Sequence, residues 1–140
     1  MSNPIDTESR LLRKPVPHTA VCGKRVIVFS PDADLARVLL MNLEDRFQIV
    51  RECRLENLIE SLEEKSPDLF LVDLHTHPQD IGKQLDVIRR LNPAVPVVVL
   101  RAYMSLSPEM NKSIDDLADI VFYKPVDVEL VTQACEDLLK

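Results

Sequence analysis

Five short apolar runs, each followed by a segment of helical periodicity, recur roughly every two dozen residues. They are RVIVF (25–29), FQIVR (47–51), DLFLVDL (68–74), PVVVL (96–100) and IVFY (120–123). After the first run, Leu35, Val38, Leu39 and Leu43 recur at spacings of three and four, which predicts a helix over 33–45. The same pattern predicts helices over 57–65 and 81–91, and a last helix capped by Asp127 with Leu130, Val131, Ala134 and Leu138 inward. Ser107-Pro108-Glu109 supplies a cap, a proline at the first helical position and an early carboxylate, so a helix starts there too. Strands that alternate with helices must run parallel, because each connection crosses back over the sheet. Mostly continuous apolar strands are those covered on both faces. The chain therefore reads as α/β, a three-layer doubly wound (βα)5 domain with right-handed crossovers. Several strand orders fit the pattern alone. In each of them function lies beyond the carboxyl ends of the strands.

With 140 residues the chain has the length of one domain. Residues 1–24 lack either period and hold Pro4, Pro15 and Pro17, so they read as a mobile N-terminal tail, with the domain proper at 25–140. Arg10, Arg13, Lys14 and Lys24 against Asp6 and Glu8 give the tail a net +2, which leaves −8 of the formal −6 to the folded part. An acidic domain has no footprint for bulk nucleic-acid binding. The unbroken apolar stretch Val97–Leu100 is far short of the ~20 residues that span a bilayer. The start of the chain has no apolar core of a signal peptide, so no membrane partner is expected and a cytoplasmic setting is. Only two glycines are present, which excludes glycine-rich phosphate and dinucleotide loops. Cys22, Cys53 and Cys135 are too few and too scattered for a disulfide framework.

The strand ends carry the polar residues of interest. Ser30-Pro31-Asp32 follow the first run, Asp73 closes the third, Arg101-Ala102 close the fourth and Lys124-Pro125 the fifth. A carboxylate ending an apolar strand needs a charged partner or a cation, and a lysine from a neighbouring strand can provide it. The segments PDLFLVDL (67–74), PVVVLRA (96–102) and Ala118-Asp119 leading into YKPVDVEL (123–130) resemble the response-regulator receiver domain of two-component signalling, over essentially all of 25–140. That resemblance implies a flavodoxin-like five-stranded parallel sheet of order 2-1-3-4-5. It also implies Asp73 as the phosphoacceptor position, Lys124 as the phosphate-contacting lysine and a cis Lys124-Pro125 bond.

The departures from that family point to a degenerate variant. Receiver domains hold Mg²⁺ with an acidic pair after strand one, and here Ser30 and Pro31 stand at that pair. Asp32 and Asp73 make at most a weak Mg²⁺ site, since Mg²⁺ takes carboxylates in near-octahedral geometry. The strand-four hydroxyl position is Arg101 and the aromatic switch position is Val121. Phosphoryl transfer to a carboxylate needs a metal to neutralise charge between donor and acceptor. The sequence therefore predicts a non-enzymatic pseudo-receiver that acts through protein contacts, without a cofactor, with phosphorylation at Asp73 as the alternative. Arg101 is expected to pair with Asp73, or else to swing out to solvent. Expected partners are a histidine kinase or an output protein. A homodimer face is expected on the fourth helix, fifth strand and fifth helix, at Met110, Ile114, Tyr123 and 128–139, where core packing competes for Met110 and Ile114. The string VDLHTHP also offers His75 and His77 at a metal-ligand spacing, but further histidine ligands are lacking, so loop positions beside the pocket are expected instead.

Overall fold

The computed structural model describes residues 23–140 except Lys65. The expectations placed on 1–22, the mobile tail and Cys22 among them, lie outside the described residues. Five strands, β1 (Arg25–Phe29), β2 (Gln48–Glu52), β3 (Leu69–Asp73), β4 (Val97–Arg101) and β5 (Ile120–Tyr123), form one parallel sheet of order β2-β1-β3-β4-β5. The helices between them are α1 (Ala33–Leu43), α2 (Leu55–Glu64), α3 (Pro78–Arg89), α4 (Pro108–Leu117) and α5 (Val128–Leu138). This is the flavodoxin-like order that the family resemblance implied.

Strand position explains strand composition. Residues of β3 and β4 are buried throughout, and β1 is buried beyond its first residue. β2 and β5 lie at the edges and stay partly exposed, which is why FQIVR alternates where LFLVD does not. Successive side chains of a strand leave on opposite faces. Ile27, Phe29, Phe70, Val72, Val97 and Val99 therefore pack with Leu58, Ile81 and Ile114 of α2, α3 and α4. Val26, Val28, Leu69, Leu71, Val98 and Leu100 pack with Leu39, Leu43, Val131 and Cys135 of α1 and α5.

Two aspartates pin the amino ends of the strands. Asp68 accepts the Arg25 N–H at 2.7 Å, and its own N–H donates to the Arg25 carbonyl. Asp119 does the same for Val97, at 2.7 Å. Each gives a strand start both halves of a backbone pair. Helix α3 begins three residues before the expected start because Pro78 occupies its first turn, after His77. The Lys124-Pro125 peptide bond is cis, as the resemblance implied.

Candidate functional site

Register brings three of the expected residues together. Phe29 lies beside Val72, so the next residues, Ser30 and Asp73, meet at the carboxyl edge of the sheet. Both are almost fully buried, at 0% and 1% exposure. The Ser30 hydroxyl donates to Asp73 Oδ2 at 2.8 Å and accepts the Asp32 N–H at 3.1 Å. The Lys124 ammonium stands 2.5 Å from Asp73 Oδ1, which has no other partner among the described residues. The Lys124 N–H continues the β4–β5 ladder by donating to the Arg101 carbonyl. One carboxylate is thus held by one cation and one hydroxyl, an arrangement that balances its buried charge.

The acids nearby do not join it. Asp32 is exposed, and its carboxylate accepts the N–H groups of Asp34 and Leu35, capping α1. Pro31 is exposed and brings no side-chain donor or acceptor. Among the described residues no group of three or more His, Cys, Asp or Glu could hold a metal. The receiver family implies Mg²⁺ at this position, but the residues present do not fit it. Among the described residues Asp73 alone brings a carboxylate into the site, and a hydroxyl and an ammonium engage its two oxygens.

Arg101 does not pair with Asp73, nor does it swing out to solvent. Asp73 lies beside Leu100 in register, so Arg101, one residue on, leaves from the opposite face of the sheet. There it is 4% exposed and donates from Nη2 to Asn111 Oδ1 on α4 at 3.0 Å. Its guanidinium carbon lies 5.3 Å from the centroid of the Tyr123 ring, a cation–π contact, and its Nε has no hydrogen-bond partner among the described residues. Val121 is half-buried and packs into the core on that same face. Ile114 is fully buried in that core and so offers nothing to a partner, whereas Tyr123 is exposed. Met110 is half-buried against the same core.

His75 and His77 do not converge. His75 meets the edge of Phe29 at a centroid distance of 6.0 Å, and His77 is exposed before α3. Burial pushes the Cys135 thiol up to about 12, which leaves it an inert core residue, while Cys53 is exposed.

Sequence reasoning missed Gln84. Its side chain is 1% exposed and lies against the end of β3. Nε2 donates to the Asp73 carbonyl at 3.1 Å, and Oε1 accepts the His75 N–H at 2.9 Å. The side-chain amide pairs with the backbone as a neighbouring strand would, fixing the chain on both sides of Leu74. The signal was available: Gln84 sits among Ile81, Leu85 and Ile88 on the apolar face of α3, and a polar residue there has a specific partner.

No protein-family model matches the chain, and no curated protein matches its sequence. Solved structures do. The receiver domain of a putative Luxo repressor protein from Vibrio parahaemolyticus superposes with a TM-score of 0.69 at 18% identity, over 84% of this chain and 90% of that one. A response regulator from Thermotoga maritima gives 0.67 at 20% identity, over 84% and 98%. A receiver-domain protein from Methanospirillum hungatei gives 0.70 at 18% identity, over 83% and 94%. The structural neighbours are consistently receiver domains, and this chain has the fold of a response-regulator receiver domain.

Proposed function

We propose that this domain is a pseudo-receiver in the cytoplasm, a non-enzymatic signalling module that works by protein contact, with little or no Mg²⁺-dependent phosphorylation at Asp73. The observation that carries this reading is the Ser30 hydroxyl on Asp73 Oδ2 at 2.8 Å, where a metal-binding receiver needs a second acid. Asp32, the nearest acid in sequence, spends its carboxylate on the first turn of α1. Without a metal, nothing beyond Lys124, already engaged with Asp73 Oδ1, offsets the negative charge that a phosphoryl donor would bring to the carboxylate. Its partners on this reading are a histidine kinase or an output protein, and it needs neither nucleic acid nor a membrane. Among the described residues no helix is long and apolar enough to cross one.

The test is intact mass after incubation with acetyl phosphate and Mg²⁺, for the wild type and Asp73→Ala. The expected result is no adduct on either chain, and no change in the amide spectrum with beryllofluoride. A phosphate adduct that Asp73→Ala abolishes would replace this reading with that of a phospho-accepting receiver.

A further inference from the structure

Beside β5 lies a surface that the Asp73 site does not use. Tyr103 is 77% exposed and Tyr123 41% exposed, yet their rings are stacked, with centroids 4.4 Å apart and planes 16° from parallel. Arg101, buried and held by Asn111, sets its guanidinium against the Tyr123 ring. The stack is therefore held in one geometry while Tyr103 stays open to solvent. Rigid aromatic anchors lose little entropy when covered, which makes them effective contact residues.

Leu130, 58% exposed, extends this surface across the β5 edge. α1 lies against β2, at the far edge of the sheet, and the turn after it is joined to α5 by the Arg46–Glu136 ion pair. At 3.6 residues per turn, Leu130 stands about 120° round α5 from Glu136. Val131 and Cys135, which face the core, lie on the other arc between them. Leu130 is thus turned away from α1 and flanks the open edge at β5.

The rim of this surface is acidic. α4 and α5 begin just beyond the carboxyl ends of β4 and β5, so their first turns stand at the same edge of the sheet as the tyrosines. They bring Glu109, Asp127 and Glu129, all exposed. The cations between positions 101 and 130 are Arg101, Lys112 and Lys124. Each is already engaged: Arg101 is 4% exposed, Lys112 faces Asp116 and Lys124 faces Asp73. A partner's carboxylate would therefore meet acids here. Guanidinium groups suit the surface, because they stack on tyrosine faces and pair with carboxylates, and aliphatic side chains suit Leu130.

We propose that the Tyr103–Tyr123 stack and Leu130 form the docking surface for an arginine-rich, leucine-bearing segment of another protein. A guanidinium lies on the open ring of Tyr103, aliphatic side chains cover Leu130, and Glu109, Asp127 and Glu129 face the remaining positive charge. This rests on the reading of the domain as a protein-contact module. The two fail separately, because acetyl phosphate probes Asp73 whereas a peptide probes the tyrosines.

The chain has two tyrosines and no tryptophan, so its intrinsic ultraviolet emission comes from this pair alone. The experiment titrates the full chain with a short peptide of alternating arginine and leucine, and follows tyrosine emission and the amide spectrum. The expected result is a saturating change in emission, with amide shifts confined to 101–110 and 120–130. Tyr103→Ala alters a side chain that is mostly in solvent, so the fold should survive. It is expected to weaken binding, read from the amide spectrum, about tenfold. A lysine–leucine peptide is expected to bind about threefold more weakly than the arginine one, because an ammonium lacks the planar stacking face. A glutamate–leucine peptide is expected not to bind. Equal affinity of the wild type and Tyr103→Ala would overturn the proposal, as would amide shifts centred on the acids of α2, Glu56, Glu60, Glu63 and Glu64. So would tighter binding of the glutamate peptide. The same shifts arising from protein concentration alone would overturn it too, because a second copy would then be the occupant.

Discussion

The Ser30–Asp73 contact gives the most direct handle on the site. Ser30→Asp puts a second carboxylate where a hydroxyl now donates to Asp73 at 2.8 Å, in a pocket where both residues are at most 1% exposed. The variant loses a hydrogen bond to a charged acceptor, worth about 1.5–3 kcal/mol. It also sets two like charges about 4 Å apart, a repulsion of about 4 kcal/mol at an effective dielectric of 20. Lys124, on the other oxygen of Asp73, attracts the new charge and offsets much of that repulsion. The net loss is about 2–4 kcal/mol. For a domain of this size 1 kcal/mol moves Tm by about 4 °C, so the variant should melt about 8–16 °C below the wild type. Two carboxylates facing one another are also the start of a Mg²⁺ site. At ten times its Kd the metal would restore about 1.4 kcal/mol, or about 6 °C. Thermal melts with and without Mg²⁺ read both effects. The wild type should not respond to Mg²⁺ at the same ionic strength. A wild-type Tm that rises with Mg²⁺ as far as the variant's, or a variant as stable as the wild type without metal, would refute the reasoning.

Three further perturbations follow from the same contacts. Lys124→Met leaves the Asp73 carboxylate buried with Ser30 alone; because the Lys124 side chain is 27% exposed, the cost should fall below that of a fully buried pair, at about 2–3 kcal/mol in urea unfolding, and Asp73→Asn added to it should recover most of the loss. Gln84→Met orphans the Asp73 carbonyl and the His75 N–H, so it should cost about 2–3 kcal/mol and speed hydrogen exchange at the His75 amide, an effect absent if the amide pairing is incidental. Cys135 keeps its proton in the folded state up to about 12, whereas the unfolded thiol loses it from 9.0, so its contribution is intact below pH 9 and declines as pH rises towards 12. Between pH 8 and pH 10 the wild type should therefore lose about 1.4 kcal/mol more than Cys135→Ala, and equal losses would contradict a buried neutral thiol.

The layered architecture was legible because burial on both faces leaves a plain mark. LFLVD and VVVLR are apolar at every position that the sheet covers, and only their last residues, Asp73 and Arg101, are charged. The helix ends were less legible. The first turn of α3, Pro78-Gln79-Asp80, contains no apolar residue, so periodicity first registers at Ile81 although the helix is already under way. Strand order is a different matter, since a crossover of given length serves several orders. The order 2-1-3-4-5 came from family resemblance rather than from hydrophobic pattern.

The site separates two kinds of inference. That Ser30, Asp73 and Lys124 converge could be reasoned from their places at strand ends, because parallel strands bring their carboxyl ends to one edge of the sheet. Whether Arg101 joins them depends on the pleat, and the pleat depends on register. Asp73 lies beside Leu100, and that single pairing sends the next side chain of β4 to the opposite face. A slip of one residue would have aimed Arg101 at Asp73 and given the pocket two cations. In the observed register the two positive charges do separate work. Lys124 neutralises the buried carboxylate beneath α1 and α5, while Arg101 holds Tyr123 beside α4. Arg101, at the end of β4, thus shapes the surface next to β5 and leaves the Asp73 pocket to the serine and the lysine. The Asp73 pocket and the tyrosine surface are therefore separable by mutation here. Substitutions at Ser30 or Lys124 should alter the pocket without disturbing the tyrosines, and substitutions at Asn111 should loosen the Tyr103–Tyr123 stack without touching Asp73.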